Sequence, residues 1–308
     1  MAHYHFTLIQ RLPEHRIMLS YMETIESLMW ALGKLGHEVS FSKNQVIPGA
    51  KNVVSNLGLL TLDEVKALPA GSIFLNLEQR LIKAGPDYRN LIETEPNAAQ
   101  RIRWERLIYA IDHHTFWDYS EANLVMIQSL KPKMQHFHVP IGWSPALETV
   151  AHRTDKDFDV IFFGSMSPNR QQFFHACVNG LEPERGVAPH VALSLINVFG
   201  KARDELLGRC RLATHAPKQL QNPEIFGIVR CAHLMANRIP FVAQTHGLMS
   251  ELLMGGDILQ TVKFCDDAQA FKTVQGLLED PIAYARYADA LYDCIRSRDL
   301  VRTLQTIT

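Results

Sequence analysis

One feature constrains the fold more than any other: short apolar runs alternate with stretches of helical periodicity along the whole chain. Apolar runs of this length suit strands buried on both faces, and crossover helices join such strands, so the pattern calls for βα units and parallel sheet. Residues 4–9 read as a first strand. A helix follows with Ile25, Leu28, Met29, Leu32 and Leu35 on one face, Ser20 and Glu23 at capping-box spacing, and Gly36 where a C-terminal glycine belongs. Further strands are expected at 37–41, 52–56 and 72–77, and near 107–111 and 135–141.

The pattern then restarts. Residues 153–157 are polar and charged and read as a linker, and 159–163 form a continuous apolar run ending in Gly164-Ser165. Ser167 and Pro168 supply an N-cap and a first-turn proline for the next helix. Strands are expected near 191–198, 212–215, 239–243 and 258–262. Helices are expected from Asn222-Pro223 to Asn237, from Asp266 or Asp267, and from Asp280-Pro281. The chain's 308 residues suit two domains. The expectation is an α/β protein of two Rossmann-like parallel-sheet domains facing a central cleft: residues 1–152 and 153–308, with the last helix free to pack back on the first domain.

Charge excludes one class of partner. With 31 basic and 32 acidic side chains the net charge is −1, and no block of like charge stands out, which argues against long tracts of nucleic acid. The five scattered cysteines contain no CxxC pair and suit reduced thiols in a cytoplasmic protein. The start shows no basic segment followed by an apolar one, and no apolar run reaches the roughly 18 residues that span a bilayer. Peripheral contact with a membrane stays open, because a lipid-linked substrate needs no spanning helix.

In open α/β sheets ligands bind beyond the carboxyl ends of the strands, where helix N-termini offer free amides. The segment Gly164-Ser165-Met166-Ser167-Pro168-Asn169-Arg170 is such a place, with Arg170 able to add charge-assisted hydrogen bonds to an anion. His215, Glu224 and Arg230 gather around a second strand end and the helix expected from Asn222. Glu224 also reads as a helix-dipole partner and Arg230 as a solvated helix charge. Glu78, Asp118 and His113 have the right chemistry for a general base, although a loop ion pair, a helix cap and simple packing account for them as well. Histidine pairs at 3/5, 113/114 and 136/138 lack the further ligands of a familiar metal site. Neither a GxSxG nor a GxGxxG motif is present.

Several of these segments, taken in order, resemble a group of bacterial GT-B glycosyltransferases. Trp117-Asp118-Tyr119-Ser120 with Asn123 resembles "WDYSxxN", and Val139-Pro140-Ile141-Gly142-Trp143-Ser144-Pro145 resembles "VPIGYSP". Asp159 through Ser165 is similar to "DVLFYGS", Phe199-Gly200 with Arg203-Asp204 to "FGxxGxxRD", and Phe226 through Asn237 to "FEIVRxxxLLAN". Asn76-Leu77-Glu78-Gln79 matches "NLEQ". The resemblance implies an N-terminal domain for the acceptor, a C-terminal domain for a nucleotide-sugar donor, and sugar transfer to a hydroxyl without a cofactor or a bound metal ion. Positive charge and helix dipole would stabilise the departing diphosphate. The diphosphate is expected near Gly164, Ser165 and Arg170, and the base and ribose near His215 and Glu224, with Arg230 close by. The acceptor, expected near Glu78, Asp118 or His113, is a glycan, a lipid-linked intermediate, a protein or a modified nucleobase. Two positions depart from the family pattern: Gly227 stands where it has an acid, and Gln244 where many members have Glu. The first motivates a competing reading, a non-catalytic scaffold that binds a nucleotide or glycan or partners an active transferase. A third reading is another reaction on nucleotide-sugars, such as epimerisation.

Overall fold

The computed structural model describes the chain except residues 13–15, 79–96, 131–134, 180–191, 196–197, 219–225 and 246–255. The protein is α/β. It separates into two compact units, Met1–Ile141 with Asp299–Thr308, and Gly142–Arg298.

The first unit holds a six-stranded, wholly parallel sheet, ordered β2-β1-β3-β4-β5-β6. Its strands are β1 (His3–Leu8), β2 (Glu38–Lys43), β3 (Lys51–Ser55), β4 (Ile73–Asn76), β5 (Thr115–Asp118) and β6 (His136–His138). Helices α1 (Met22–Lys34), α2 (Leu62–Lys66), α3 (Ala98–His113) and α4 (Glu121–Leu130) connect them, and α11 (Leu300–Gln305) packs on α1. Ile9, Val54, Phe74 and Phe116 meet Val65 of α2 and Leu107, Ala110 and Ile111 of α3 in one apolar core.

The segment 107–111, expected as a strand, is the C-terminal part of helix α3. Leu107, Ala110 and Ile111 are spaced i, i+3, i+4 and form its buried stripe. The neighbouring strand is instead Thr115–Asp118. Ser20, expected as the N-cap, lies one residue before it: a 3₁₀ turn at Arg16–Tyr21 runs into α1, whose N-cap is Tyr21 without a side-chain bond. A capping box does close on α2, between Thr61 and Glu64. Gly36 takes φ +81° after α1, with His37 N–H donating to Leu32 O at 3.1 Å.

The second unit holds a five-stranded parallel sheet, ordered β11-β10-β9-β7-β8. Its strands are β7 (Phe158–Phe163), β8 (Ala192–Leu195), β9 (Cys210–His215), β10 (Phe241–Gln244) and β11 (Lys263–Cys265). Its helices are α5 (Pro168–Val178), α6 (Lys201–Gly208), α7 (Ile228–Ala236), α8 (Gly256–Thr261), α9 (Asp267–Glu279) and α10 (Pro281–Arg296). Ser167 caps α5 by accepting from Arg170 N–H, with Pro168 in the first turn, and Asp266 and Asp280 cap α9 and α10. Segment 258–262, expected as a strand, lies largely in helix α8.

The unit begins well ahead of the charged 153–157 stretch, because residues 147–150 are bound into it. Val150 N–H donates to Asn237 Oδ1 at 2.9 Å, Asn237 donates to Leu147 O at 2.5 Å, and Thr149 donates to Asp204 at 2.7 Å.

Candidate functional site

In the second sheet the strand order reverses between β7 and β9, and crevices at such reversals, beyond the carboxyl ends of the strands, are where open α/β sheets take their ligands. Gly164 follows β7 and His215 ends β9, so the two flank this crevice. Arg170 ties its walls together. Its Nε donates to Ala216 O at 2.9 Å, past the end of β9, and its Nη1 donates to Ser165 O at 2.7 Å and Ser165 Oγ at 2.9 Å. All three acceptors are neutral, so the charge of this buried guanidinium is not cancelled by its hydrogen bonds. Burial first, then the charge of Arg230, lowers its pKa to about 9.

Arg230 is the second cation of the crevice. The helix expected from Asn222 to Asn237 starts only at Ile228, with Gly227 as N-cap. Arg230 therefore sits in the first turn of α7 rather than midway along a longer helix. A Cβ built on Gly164, whose φ is +132°, would come within 3.0 Å of Arg230 Cζ and Nη2. The glycine is needed because the guanidinium lies against its backbone. Arg230 Nη1 is excluded from solvent and has no hydrogen-bond partner. Among the described residues Arg230 makes no ion pair. Its ring neighbour is Phe163, 5.9 Å from Cζ, and burial lowers its pKa. Two repelling guanidiniums, uncompensated at a helix start, form a site made for an anion.

Phe163 connects this site to a buried cluster in which His233 joins the Arg203-Asp204 pair of the "FGxxGxxRD"-like segment. Arg203 Cζ stands 5.8 Å from the same ring. Arg203 Nη2 donates to Asp204 Oδ1 at 2.7 Å, and His233 Nε2 lies 3.0 Å from that oxygen. Burial pushes the Asp204 carboxyl up, but the hydrogen bond from His233, the charge of Arg203 and the hydrogen bond from Thr149 together hold it well below the usual carboxylate range.

Both departures from the family pattern have local causes. A Cβ on Gly227 would meet His215 Cε1 at 2.5 Å and Nε2 at 2.7 Å. His215 is 5% exposed and stands edge-on to Phe226, so its imidazole fills the space a side chain at 227 would need. Gln244, at the end of β10, donates from Nε2 to Asp267 Oδ1 at 2.7 Å and accepts from Asn169 at 2.8 Å. A glutamate there would set two carboxylates against each other. Glu224 lies outside the described residues.

In the first unit, Glu78 and Asp118 come together beyond the carboxyl ends of β4 and β5, and His113 does not join them. His113 ends α3 and precedes β5, so it belongs to the opposite, amino edge of the sheet, where it is exposed and stacked on Tyr109 at 4.0 Å. Asp118 is 0% exposed. Its carboxylate accepts from Asn76 at 2.6 Å, Ser120 N–H at 2.9 Å and Asn123 at 3.0 Å, which makes it the hub of a buried hydrogen-bond network rather than a base open to a substrate. Asn76 and Asn123 in turn both donate to the backbone carbonyl of Glu78 at 2.9 Å. The Glu78 side chain is only partly buried and accepts from Tyr21 Oη at 3.1 Å. Of the three candidate bases, Glu78 alone combines a fixed backbone with a carboxylate within reach of solvent.

Among the described residues no group of three His, Cys, Asp or Glu side chains is placed to hold a metal ion, and no helix is long and apolar enough to cross a membrane.

No protein-family model matches the chain, and no curated protein sequence matches it either. Solved structures do. An α-glucosyltransferase in complex with UDP-glucose and DNA containing an abasic site aligns over 99% of this chain and 98% of its own, with a TM-score of 0.57 at 11% identity. The sucrose-phosphate synthase of Thermosynechococcus elongatus covers 100% and 98%, with a TM-score of 0.58 at 10% identity. WaaG, a glycosyltransferase involved in lipopolysaccharide biosynthesis, covers 98% of each chain, with a TM-score of 0.57 at 10% identity. The chain has the GT-B glycosyltransferase fold. At these identities the GT-B likeness speaks for architecture, and the residues of the two sites must carry any argument about chemistry.

Proposed function

We propose that this protein transfers a sugar from a nucleotide-sugar donor to an acceptor hydroxyl, with the donor held by the second unit and the acceptor by the first. One observation carries the reading: Arg170 and Arg230 stand at the β7/β9 crevice without a carboxylate partner among the described residues. A diphosphate supplies the missing counter-charge. Arg230 and the first amides of α7 would receive the charge that develops as the bond between the anomeric carbon and the diphosphate breaks. Glu78 would take the proton of the attacking hydroxyl. His215 would face the nucleoside or the sugar. With two cations and a helix start at the diphosphate, the reaction proceeds without a metal ion, and excess EDTA leaves turnover unchanged.

The test separates binding from turnover. UDP, a ligand of one of the structural neighbours in its nucleotide-sugar form, is titrated with the other nucleoside diphosphates in a thermal-shift assay. A ligand that binds only the native state at 100 times its Kd adds about 2.7 kcal/mol of apparent stability. At least one nucleoside diphosphate is expected to raise the Tm, Arg230→Met to abolish the rise, and the matching nucleotide-sugar to be hydrolysed slowly without acceptor. Absence of any shift across the panel refutes donor binding. A shift without hydrolysis or transfer favours the non-catalytic scaffold.

A further inference from the structure

The first sheet also reverses its strand order, between β1 and β3, and an open cavity of ≈ 300 Å³ lies at the carboxyl end of β3. Asn56, which follows β3 with φ +71°, donates from Nδ2 to Ile9 O past the end of β1, so its side chain spans the reversal. The short turn Leu57–Leu59 forms one wall. Arg106 fixes that turn by donating from Nη1 to Gly58 O at 3.0 Å and to Leu60 O. Arg103 lines the cavity, and makes no hydrogen bond or ion pair among the described residues. Glu78 lines it as well. A carboxylate and two guanidiniums around one cavity ask for a ligand with both a hydroxyl and an anion.

We propose that the acceptor is a small hydroxyl compound bearing a phosphate group, its phosphate at Arg103 and Arg106 and its reacting hydroxyl at Glu78. This rests on the transferase reading and adds the chemical class of the acceptor to it. A bidentate guanidinium matches phosphate geometry. The cavity is at the lower end of the range for small-molecule pockets, which suits one sugar-sized group rather than a polymer. A nucleic acid strand is disfavoured further by the chain's net charge of −1. The phosphate can come on a soluble sugar phosphate or at a lipid surface, and the two sources separate experimentally.

Gly58 supplies the probe variant. A Cβ added there meets nothing within 4 Å, and its φ is not in the left-handed region, so a side chain is accommodated without strain. The full chain is titrated calorimetrically with glucose 6-phosphate, with glucose, with a single-stranded oligonucleotide, and with vesicles of phosphatidylcholine alone or with phosphatidic acid. UDP serves as the reference ligand of the second unit. The expected result is that glucose 6-phosphate binds at least about tenfold tighter than glucose, or the phosphatidic acid vesicles than the electroneutral phosphatidylcholine ones, which lack a terminal phosphate. Gly58→Asp and Arg103→Gln each remove about tenfold of that affinity, Gly58→Asn keeps it, and UDP binds all variants alike. Sensitivity confined to glucose 6-phosphate assigns a soluble acceptor, and sensitivity confined to the vesicles a lipid-borne one. Phosphate-independent binding, or binding that Gly58→Asp and Arg103→Gln leave unchanged, overturns the proposal while UDP still binds. Equal sensitivity of a single-stranded oligonucleotide overturns it in favour of a polymeric acceptor. Failure of UDP here and of every other nucleoside diphosphate in the thermal-shift panel refutes the transferase reading instead.

Discussion

Gly227→Ala tests the most specific packing claim of the second unit. Gly227 has φ −75° and ψ 49°, which an alanine can adopt, so only the neighbour opposes the change. That neighbour is the His215 imidazole, whose Cε1 and Nε2 would lie 2.5 and 2.7 Å from the new carbon. Ordinary carbon contacts need about 3.5 Å or more, so the ring must move by roughly 1 Å. It is held at 5% exposure against Phe226. Overpacking of this kind costs about 1–3 kcal/mol, which in a domain of this size lowers the Tm by roughly 2–12 °C. Urea unfolding of Gly227→Ala, His215→Ala and the double variant forms a thermodynamic cycle. His215→Ala loses packing of its own, but it removes the obstacle, so the alanine at 227 becomes nearly free in that background. The coupling energy is expected to offset most of the 1–3 kcal/mol. If the two losses add to within about 0.5 kcal/mol, His215 is not what excludes a side chain from position 227.

Other outcomes follow from the same geometry. Gln244→Glu replaces the donor to Asp267 with a second carboxylate, and repulsion raises the folded-state pKa of the new acid above its unfolded value. The variant is therefore least stable above that folded pKa and recovers as pH falls through it, so melting at pH 8 and pH 5 should show a deficit of about 1–3 kcal/mol that shrinks at the lower pH. His136 is buried with both ring nitrogens unpartnered, and burial lowers its pKa to about 4. The unfolded chain then takes up a proton below pH 6.5 that the native one refuses, so stability falls from pH 6.5 to about 4. His136→Phe should flatten that part of the pH–stability curve. Asp118→Asn turns an acceptor of three hydrogen bonds into a group that also donates, and should cost the first unit about 3 kcal/mol in urea unfolding. Glu78→Gln should instead melt within about 0.5 kcal/mol of the wild type and lose transfer with donor binding intact. The reverse pattern would make Asp118 the base.

Local sequence signals carried over well into the structure. The Ser167–Pro168 start of α5, the Asp266 and Asp280 caps and Gly36 each act through neighbours a few residues away. Reading 107–111 as a strand was an error of period, because a short apolar run cannot separate a buried strand from the inner stripe of a helix. A strand at 107–111 would have put His113 at the carboxyl edge, with Glu78 and Asp118. A residue just past a strand sits at the carboxyl edge of a parallel sheet, whereas one that ends a helix before the next strand sits at the amino edge. Arg230 was hard to place for a different reason. Its partner Gly164 is far away in sequence, and no local pattern announces that a guanidinium will lie on a glycine backbone. Asp118 read as a candidate base because nothing in the Phe116-Trp117-Asp118-Tyr119-Ser120 segment names the partners of its carboxylate. The asparagines that bury its charge come from the end of β4 and from α4.

The excursion of the chain from one unit to the other and back orders its synthesis. Residues 142–298 leave the ribosome before Asp299–Thr308, the segment that completes the first unit and places α11 on α1. The inserted unit can therefore reach its native state while its host still lacks α11. During that interval the face of α1 that will receive α11 has no α11 to cover it.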